Sequence, residues 1–208
     1  MRFNKILLLL ITSVFTTLSS AAAIEPKVQN IFVRLNNGCP GGFTKRDLEG
    51  RSPPSANYAN INVGSFGSAL GSSTGLWTEG LVTCIGVAVT FEGMFGIQYK
   101  FLAHLTASTL TLGSEFNVFE AAIQKSGTTF DKLRCVVSPP NLNGPNPVRS
   151  GLTWGPADVQ SAEEALTTIK DLANALCING VAQYEEHNMD PPANMQIDPD
   201  DTIKINGQ

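Results

Sequence analysis

The stretch from Thr78 to Leu105, TEGLVTCIGVAVTFEGMFGIQYKFLAHL, limits what this chain can fold into more than any other. Residues 85, 87, 89 and 91 are Ile, Val, Val and Phe; after Gly93 and Gly96, residues 97, 99, 101 and 103 are Ile, Tyr, Phe and Ala. Period two on both sides of a glycine-containing break predicts strand, turn, strand. With the turn centred on Met94, residues whose numbers sum to 188 oppose each other. Phe91 then faces Ile97 and Val89 faces Tyr99 on the apolar side, while Thr90, Ala88, Gly86 and Cys84 face Gln98, Lys100, Leu102 and His104 on the other. Directly opposed residues have Cβ atoms about 4.5 to 5.5 Å apart, within reach of proton transfer from a thiol to an imidazole. A slip of one residue would turn His104 to the apolar face, so the pattern favours this register.

A thiol is mostly protonated near neutrality, and an adjacent imidazole raises the thiolate fraction and later returns the proton to a leaving amine. The competing reading is that Cys84 is half of a disulfide and His104 merely ends a strand, since secreted chains mostly use cysteine that way.

Thr78, followed six positions later by Cys84, then a short apolar strand, then Ala103-His104 closing the next strand, resembles the cysteine hydrolase fold of the bacterial chemotaxis-receptor glutamine deamidases. The cytotoxic necrotizing factor toxins are similar in this core, with Cys and His on adjacent strands of a β-sandwich. The resemblance covers about 30 residues and implies Cys84 as nucleophile, His104 as base and Thr78 as the group that orients the histidine. Where the chemotaxis enzymes carry Gly-Ser before the cysteine, this chain has Val82-Thr83. Their Cys to His interval is also shorter, and they are cytosolic, so the resemblance implies no particular substrate.

Met1 to Ala23 carries Arg2 and Lys5, an apolar run from Ile6 to Ile11 and small residues ending at Ala21 and Ala23. That is the layout of a secretory signal, and Thr12, Ser13, Thr16 and Thr17 interrupt the run too early for a membrane anchor. The remaining 208 minus 23, or 185, residues suit one domain, 24–208. Losing Arg2 and Lys5 takes the formal charge from −4 to −6, which leaves no basic surface for nucleic acid.

All four cysteines, Cys39, Cys84, Cys135 and Cys177, lie beyond the signal and pass through an oxidising compartment. Four cysteines allow three full pairings. The preferred bridge is Cys135 with Cys177, joining a predicted strand to the end of a predicted covering helix. Cys39 with Cys84 is an alternative, either structural or as a redox latch over the nucleophile. There is no CxxC and no zinc-like spacing.

Elsewhere, Val28 to Leu35 reads as an opening strand, and Asn36 to Gly42 as a turn cluster rather than a phosphate loop. Lys45 to Asn60 reads as a surface loop, with another strand at Tyr58 to Val63. Gly64 to Gly75, GSFGSALGSSTG, reads as a loop, either a mobile flap over Cys84 or an ordinary connection. Trp77 either walls a substrate slot or is buried. Ser114 is placed as the cap of a helix running to about Lys125, with Phe116, Phe119 and Ile123 as core. Lys132 to Ser138 is a strand stopped by Pro139-Pro140. A second helix begins near Pro156 or Asp158, with Ser161 and Glu164 at capping-box spacing, and runs to Cys177. His187 falls in a polar tract read as a solvated loop rather than a metal or regulatory site, and Asp198 to Asp201 turns a last hairpin.

The expected fold is α+β, a largely antiparallel β-sandwich or sheet with two packed helices. The expected activity is that of a secreted cysteine hydrolase deamidating glutamine or asparagine side chains of a protein, through Cys84, His104 and Thr78, with no cofactor and no metal. Ester hydrolysis and transglutamination use the same chemistry. The alternative is a secreted, non-catalytic, disulfide-stabilised binding or effector protein. The expected partner is a protein substrate or host protein, with no nucleic acid and no membrane, and the protein is read as a monomer.

Overall fold

The computed structural model describes residues 33–34, 53–127, 133–144, 156–178, 182–189 and 192–206. The secretory signal, the glycine-rich turn at Cys39 and the start of the following loop lie outside the described residues.

The strongly alternating stretch forms two adjacent antiparallel strands, β5 (Ile85–Glu92) and β6 (Gln98–Leu105). They lie at the centre of a six-stranded sheet ordered β1-β3-β6-β5-β7-β8, with β1 at Val33–Arg34, β3 at Ser65–Leu70, β7 at Arg134–Ser138 and β8 at Gln183–Tyr184. A second, four-stranded sheet is ordered β10-β9-β4-β2, with β2 at Tyr58–Asn60, β4 at Gly75–Leu81, β9 at Ala193–Ile197 and β10 at Ile203–Asn206. Most pairings are antiparallel; β2 with β4 and β7 with β8 are parallel. The fold is therefore α+β, as the sequence predicts.

Alternation sorts the central strands between two interiors. Odd-numbered Val87, Val89, Phe91, Phe101 and Ala103 pack beneath helices α1 (Leu112–Lys125) and α2 (Pro156–Leu176). Even-numbered Ala88 and Leu102 face Leu76, Met195 and Ile197 of the second sheet. The result is three layers: helices, six-stranded sheet, four-stranded sheet. The helices cover one face because Leu112, Phe116, Phe119 and Ile123 recur every three to four residues along α1, and Ala165, Ile169, Ala173 and Leu176 do so along α2. Phe119 meets Phe66 and Phe101 edge to face, with ring centroids 5.8 and 6.5 Å apart. The Cys135–Cys177 disulfide ties β7 to the residue following α2, the preferred pairing.

Several local expectations are corrected. The glycine- and serine-rich run after Gly64 contains strand β3, not a loop. Small side chains let Ser65 and Ser68 bury against neighbours while Phe66 enters the helix-facing core, and β6 supplies the backbone partners. Helix α1 starts at Leu112, with Thr111 rather than Ser114 at its N-cap; Ser114 Oγ donates instead to the Thr111 carbonyl at 2.7 Å. Buried Glu115 accepts hydrogen bonds from the Thr106 backbone N–H and hydroxyl, both at 2.8 Å, which fixes the preceding connection. Ser161 lies inside α2, so it forms no capping box with Glu164. Glu163, Glu164, Lys170 and Asp171 are exposed, as a solvated helix face requires.

Candidate functional site

Thr78 sits on β4 of one sheet and His104 on β6 of the other, and they meet in the space between the sheets. Thr78 Oγ1 lies 2.7 Å from His104 Nδ1 and 2.7 Å from the carbonyl of Ile61. Carbonyl oxygen only accepts, so the single hydroxyl proton goes to Ile61 and the threonine oxygen must accept from Nδ1–H. This fixes the tautomer: Nδ1 carries the proton and Nε2 is the basic nitrogen. Both side chains are fully buried. Burial, and secondarily the nearby His187, hold the His104 pKa down at about 3.

Cys84 lies in the bend joining β4 to β5, at the crossover from one sheet to the other, and is also fully buried. Its relation to His104 differs from the register predicted from the sequence. The observed pairs sum to 190: Phe91 opposes Tyr99, and His104 opposes Gly86 rather than Cys84. The cause is the turn, which centres on Phe95 instead of Met94. Phe95 and Gly96 both take left-handed backbone angles (φ 64° and 73°), and the Gly93 N–H donates to the Ile97 carbonyl at 2.8 Å. A bulky residue is uncommon in that region, so the sequence does not announce it. A shift of two positions keeps parity, so Gly86 and His104 stay on the same face, and Cys84 packs in the inter-sheet core with Ala88 and Leu102. Cys84, one residue before the start of β5, is thus not the cross-strand partner of His104.

The sulfur of Cys84 is engaged in a disulfide, whose partner lies outside the described residues. In this structure Cys84 therefore holds no ionisable thiol, and the residue read as nucleophile is chemically masked. Thr78, expected as the third residue, is hydrogen-bonded to the His104 imidazole.

The second histidine overturns its predicted place. His187 is fully buried, not solvated. It pairs with Pro140 as an isolated parallel bridge, donating its N–H to the Pro139 carbonyl at 2.9 Å and accepting from the Asn141 N–H at 2.8 Å. Its ring Nδ1 lies 3.0 Å from Ser138 Oγ, and its Nε2 is buried with no hydrogen-bond partner among the described residues. Burial pushes its pKa down to about 4, against the opposing effect of the Val82 and Ser138 backbone. Ser138 opposes Gly86 on β5, just as His104 does on β6. A single row therefore runs His104, Gly86, Ser138 across three strands, with His187 attached to its far end. Sequence reading missed the burial of His187 and its contact with Ser138. The one available signal was the spacing of His187 and Met189, both buried, which continues an alternation through an otherwise polar tract.

A Cβ on Gly86 would lie 2.7 Å from Met195 Sδ and 3.0 Å from Leu81 Cδ1, so the thioether and the leucine occupy the place of a side chain in the middle of this row. Trp77 is buried. No group of three or more His, Cys, Asp or Glu suited to a metal ion occurs among the described residues, and no described helix is long and apolar enough to cross a membrane.

No protein family matches the chain, and no curated protein matches it. Among solved structures it is similar to the Bacillus licheniformis hypothetical protein YfiH, at 13% identity and a TM-score of 0.33, over 57% of this chain. The match spans about half, 49%, of that protein.

Proposed function

We propose that the protein is a secreted cysteine hydrolase of carboxamide side chains that rests with its nucleophile locked in a disulfide. The observation that carries this reading is the Thr78–His104 hydrogen bond, with Ile61 fixing the proton on Nδ1 and leaving Nε2 as base. The resting bridge opens by exchange with an external dithiol: two protein thiols form and the dithiol is oxidised to its own disulfide. His104 Nε2 then takes the Cys84 proton, and the thiolate adds to the carbon of a glutamine or asparagine carboxamide. Collapse of the tetrahedral adduct breaks the C–N bond, and the imidazolium protonates the departing ammonia. Water, deprotonated by the same imidazole, cleaves the thioester to a carboxylate and restores the thiol. After that reductive opening, each step uses only this chain's own residues, the substrate and water.

A second reading has its own support. With Cys84 bridged and both imidazoles buried and neutral, the oxidised molecule suits a stapled extracellular binding protein. The two separate on ammonia release from casein before and after treatment with dithiothreitol. The hydrolase releases ammonia only after reduction, and C84S releases none. A folded, reduced protein whose Cys84 is alkylated by iodoacetamide yet releases no ammonia from casein, and no acid from a panel of simple esters, is the binding protein.

A further inference from the structure

The loop that follows β7 is anchored where it begins. The His187 N–H donates to the Pro139 carbonyl, and the Asn141 N–H donates to the His187 carbonyl. Beyond that anchor lies a tight turn over Asn141–Gly144. The Gly144 N–H donates to the Asn141 carbonyl at 3.2 Å, and the Asn143 N–H donates to Asn141 Oδ1 at 3.0 Å. A Cβ at position 144 would lie 3.2 Å from Asn141 Cγ and 3.3 Å from Asn141 Nδ2, tighter than ordinary contact, so this turn selects glycine. Asn143 is exposed, and among the described residues no hydrogen bond holds its carboxamide. The turn therefore sets an unrestrained asparagine carboxamide directly before the one residue whose backbone nitrogen has no side chain beside it.

We propose that Asn143 is a modification site, at which the chain cyclises on itself and converts the asparagine to aspartate or isoaspartate. The turn bond from Gly144 is at the long limit for an N–H donor, so opening it costs little. Once the bond has opened, hydroxide removes the Gly144 amide proton, and the backbone nitrogen adds to Asn143 Cγ. The Cγ–Nδ2 bond breaks, and Nδ2 takes a proton from water and leaves as ammonia, which restores the hydroxide. Water then opens the five-membered succinimide at one of its two carbonyls. Opening at Cγ gives aspartate; opening at the main-chain carbonyl of Asn143 gives isoaspartate, whose main chain runs through the side chain and is one atom longer. In sum, one water is consumed and one ammonia released, with no oxidant and no cofactor. Either product puts a negative charge on the loop anchored to His187. Nothing in this chemistry depends on Cys84 or on hydrolysis of another protein.

The chain carries its own comparison in Asn206-Gly207. Asn206 is held in β10 opposite Asn194, and its amide nitrogen donates to Gln196 Oε1 at 3.5 Å. Cyclisation there has to break strand pairing first, whereas at Asn143 it opens one exposed turn.

The test is peptide mapping of the full-length protein after incubation at pH 7, 8 and 9, with fragmentation that separates aspartate from isoaspartate. Asn143 is expected to convert to a mixture of the two. Its rate should rise about tenfold per pH unit, as the deprotonated fraction of a group far below its pKa does. It should also run about tenfold or more ahead of Asn206, whose backbone must open locally first. Folded protein in which Asn143 stays unchanged overturns the proposal. Aspartate without isoaspartate overturns it too, because that is direct hydrolysis of the amide and not cyclisation. Equal rates at Asn143 and Asn206 would show that the dipeptide, and not the turn, sets the site. Ammonia from this reaction is limited to one per chain and needs no casein, so its presence or absence is read separately from turnover by the proposed hydrolase.

Discussion

Thr78 of the four-stranded sheet and His104 of the six-stranded sheet are joined by a 2.7 Å hydrogen bond between two fully buried side chains, and this bond is a polar tie between the layers. Replacing Thr78 by Val keeps the shape but strands both His104 Nδ1–H and the Ile61 carbonyl. The expected loss is about 1 to 3 kcal/mol, read as a lower urea midpoint at unchanged slope. T78S, which keeps the oxygen, recovers most of it. Equal loss in T78S and T78V would show that the methyl group, not the hydroxyl, matters.

The buried imidazoles make stability depend on acid. Both pKa values are lowered in the folded state, to about 3 for His104 and about 4 for His187, from an ordinary 6.5. Below pH 6.5 the unfolded chain therefore binds protons that the native protein refuses, and stability falls as pH falls. Each histidine contributes a slope of about 1.4 kcal/mol per pH unit between roughly pH 6 and its folded pKa. Glu115 works in the opposite sense, since burial raises its carboxyl pKa despite the Thr106 hydrogen bonds. Urea titrations at pH 7, 6, 5 and 4 check this, and H187Q should flatten the curve.

The Cys135–Cys177 bridge closes a 42-residue interval. Constraint of the unfolded chain by a loop of that length is worth about 4 kcal/mol in the loop-closure description. The double variant C135A/C177A should lose an amount of this order in denaturant, and should keep its far-ultraviolet circular dichroism at low denaturant.

Lys100 has no exposed side-chain surface and is ion-paired at 3.0 Å with Asp201, besides donating to the Gly71 carbonyl. Asp201 sits in the β9–β10 turn at φ 68°, a backbone region that Asn also tolerates. D201N therefore removes charge without adding strain, and leaves a buried ammonium without its counter-ion. It is expected to cost about 3 kcal/mol or more, whereas K100M, which removes the buried charge itself, costs less. Thermal melts of the two variants give the order, and the reverse order would refute the argument.

How much of this was legible in the sequence follows from where the signal is local. The alternation from Ile85 to Ala103 specified two strands and their two faces, and the periodic apolar positions of both helices specified what they cover. The register was displaced by two because Phe95, rather than a glycine, opens the left-handed turn, and side-chain pattern fixes parity but not the pairing itself. Strand β3 was illegible because most of its residues are small and its partners lie 29 to 39 positions away on β6. The burial of His187 was hidden by Glu185 and Glu186 beside it, since contact with Ser138 is made 49 residues upstream and nothing local encodes it. Thr78 and His104 were legible as a pair only through their resemblance to a known arrangement; the Ile61 carbonyl that fixes the tautomer carries no side-chain signature at all.

The stitch between Cys135 and Cys177 also has an outcome for the chain's covalent continuity. A single peptide bond severed anywhere between those two positions leaves the amino- and carboxyl-terminal pieces joined through sulfur. A nicked molecule would migrate as one species in electrophoresis and come apart as two bands only once the sulfurs are separated.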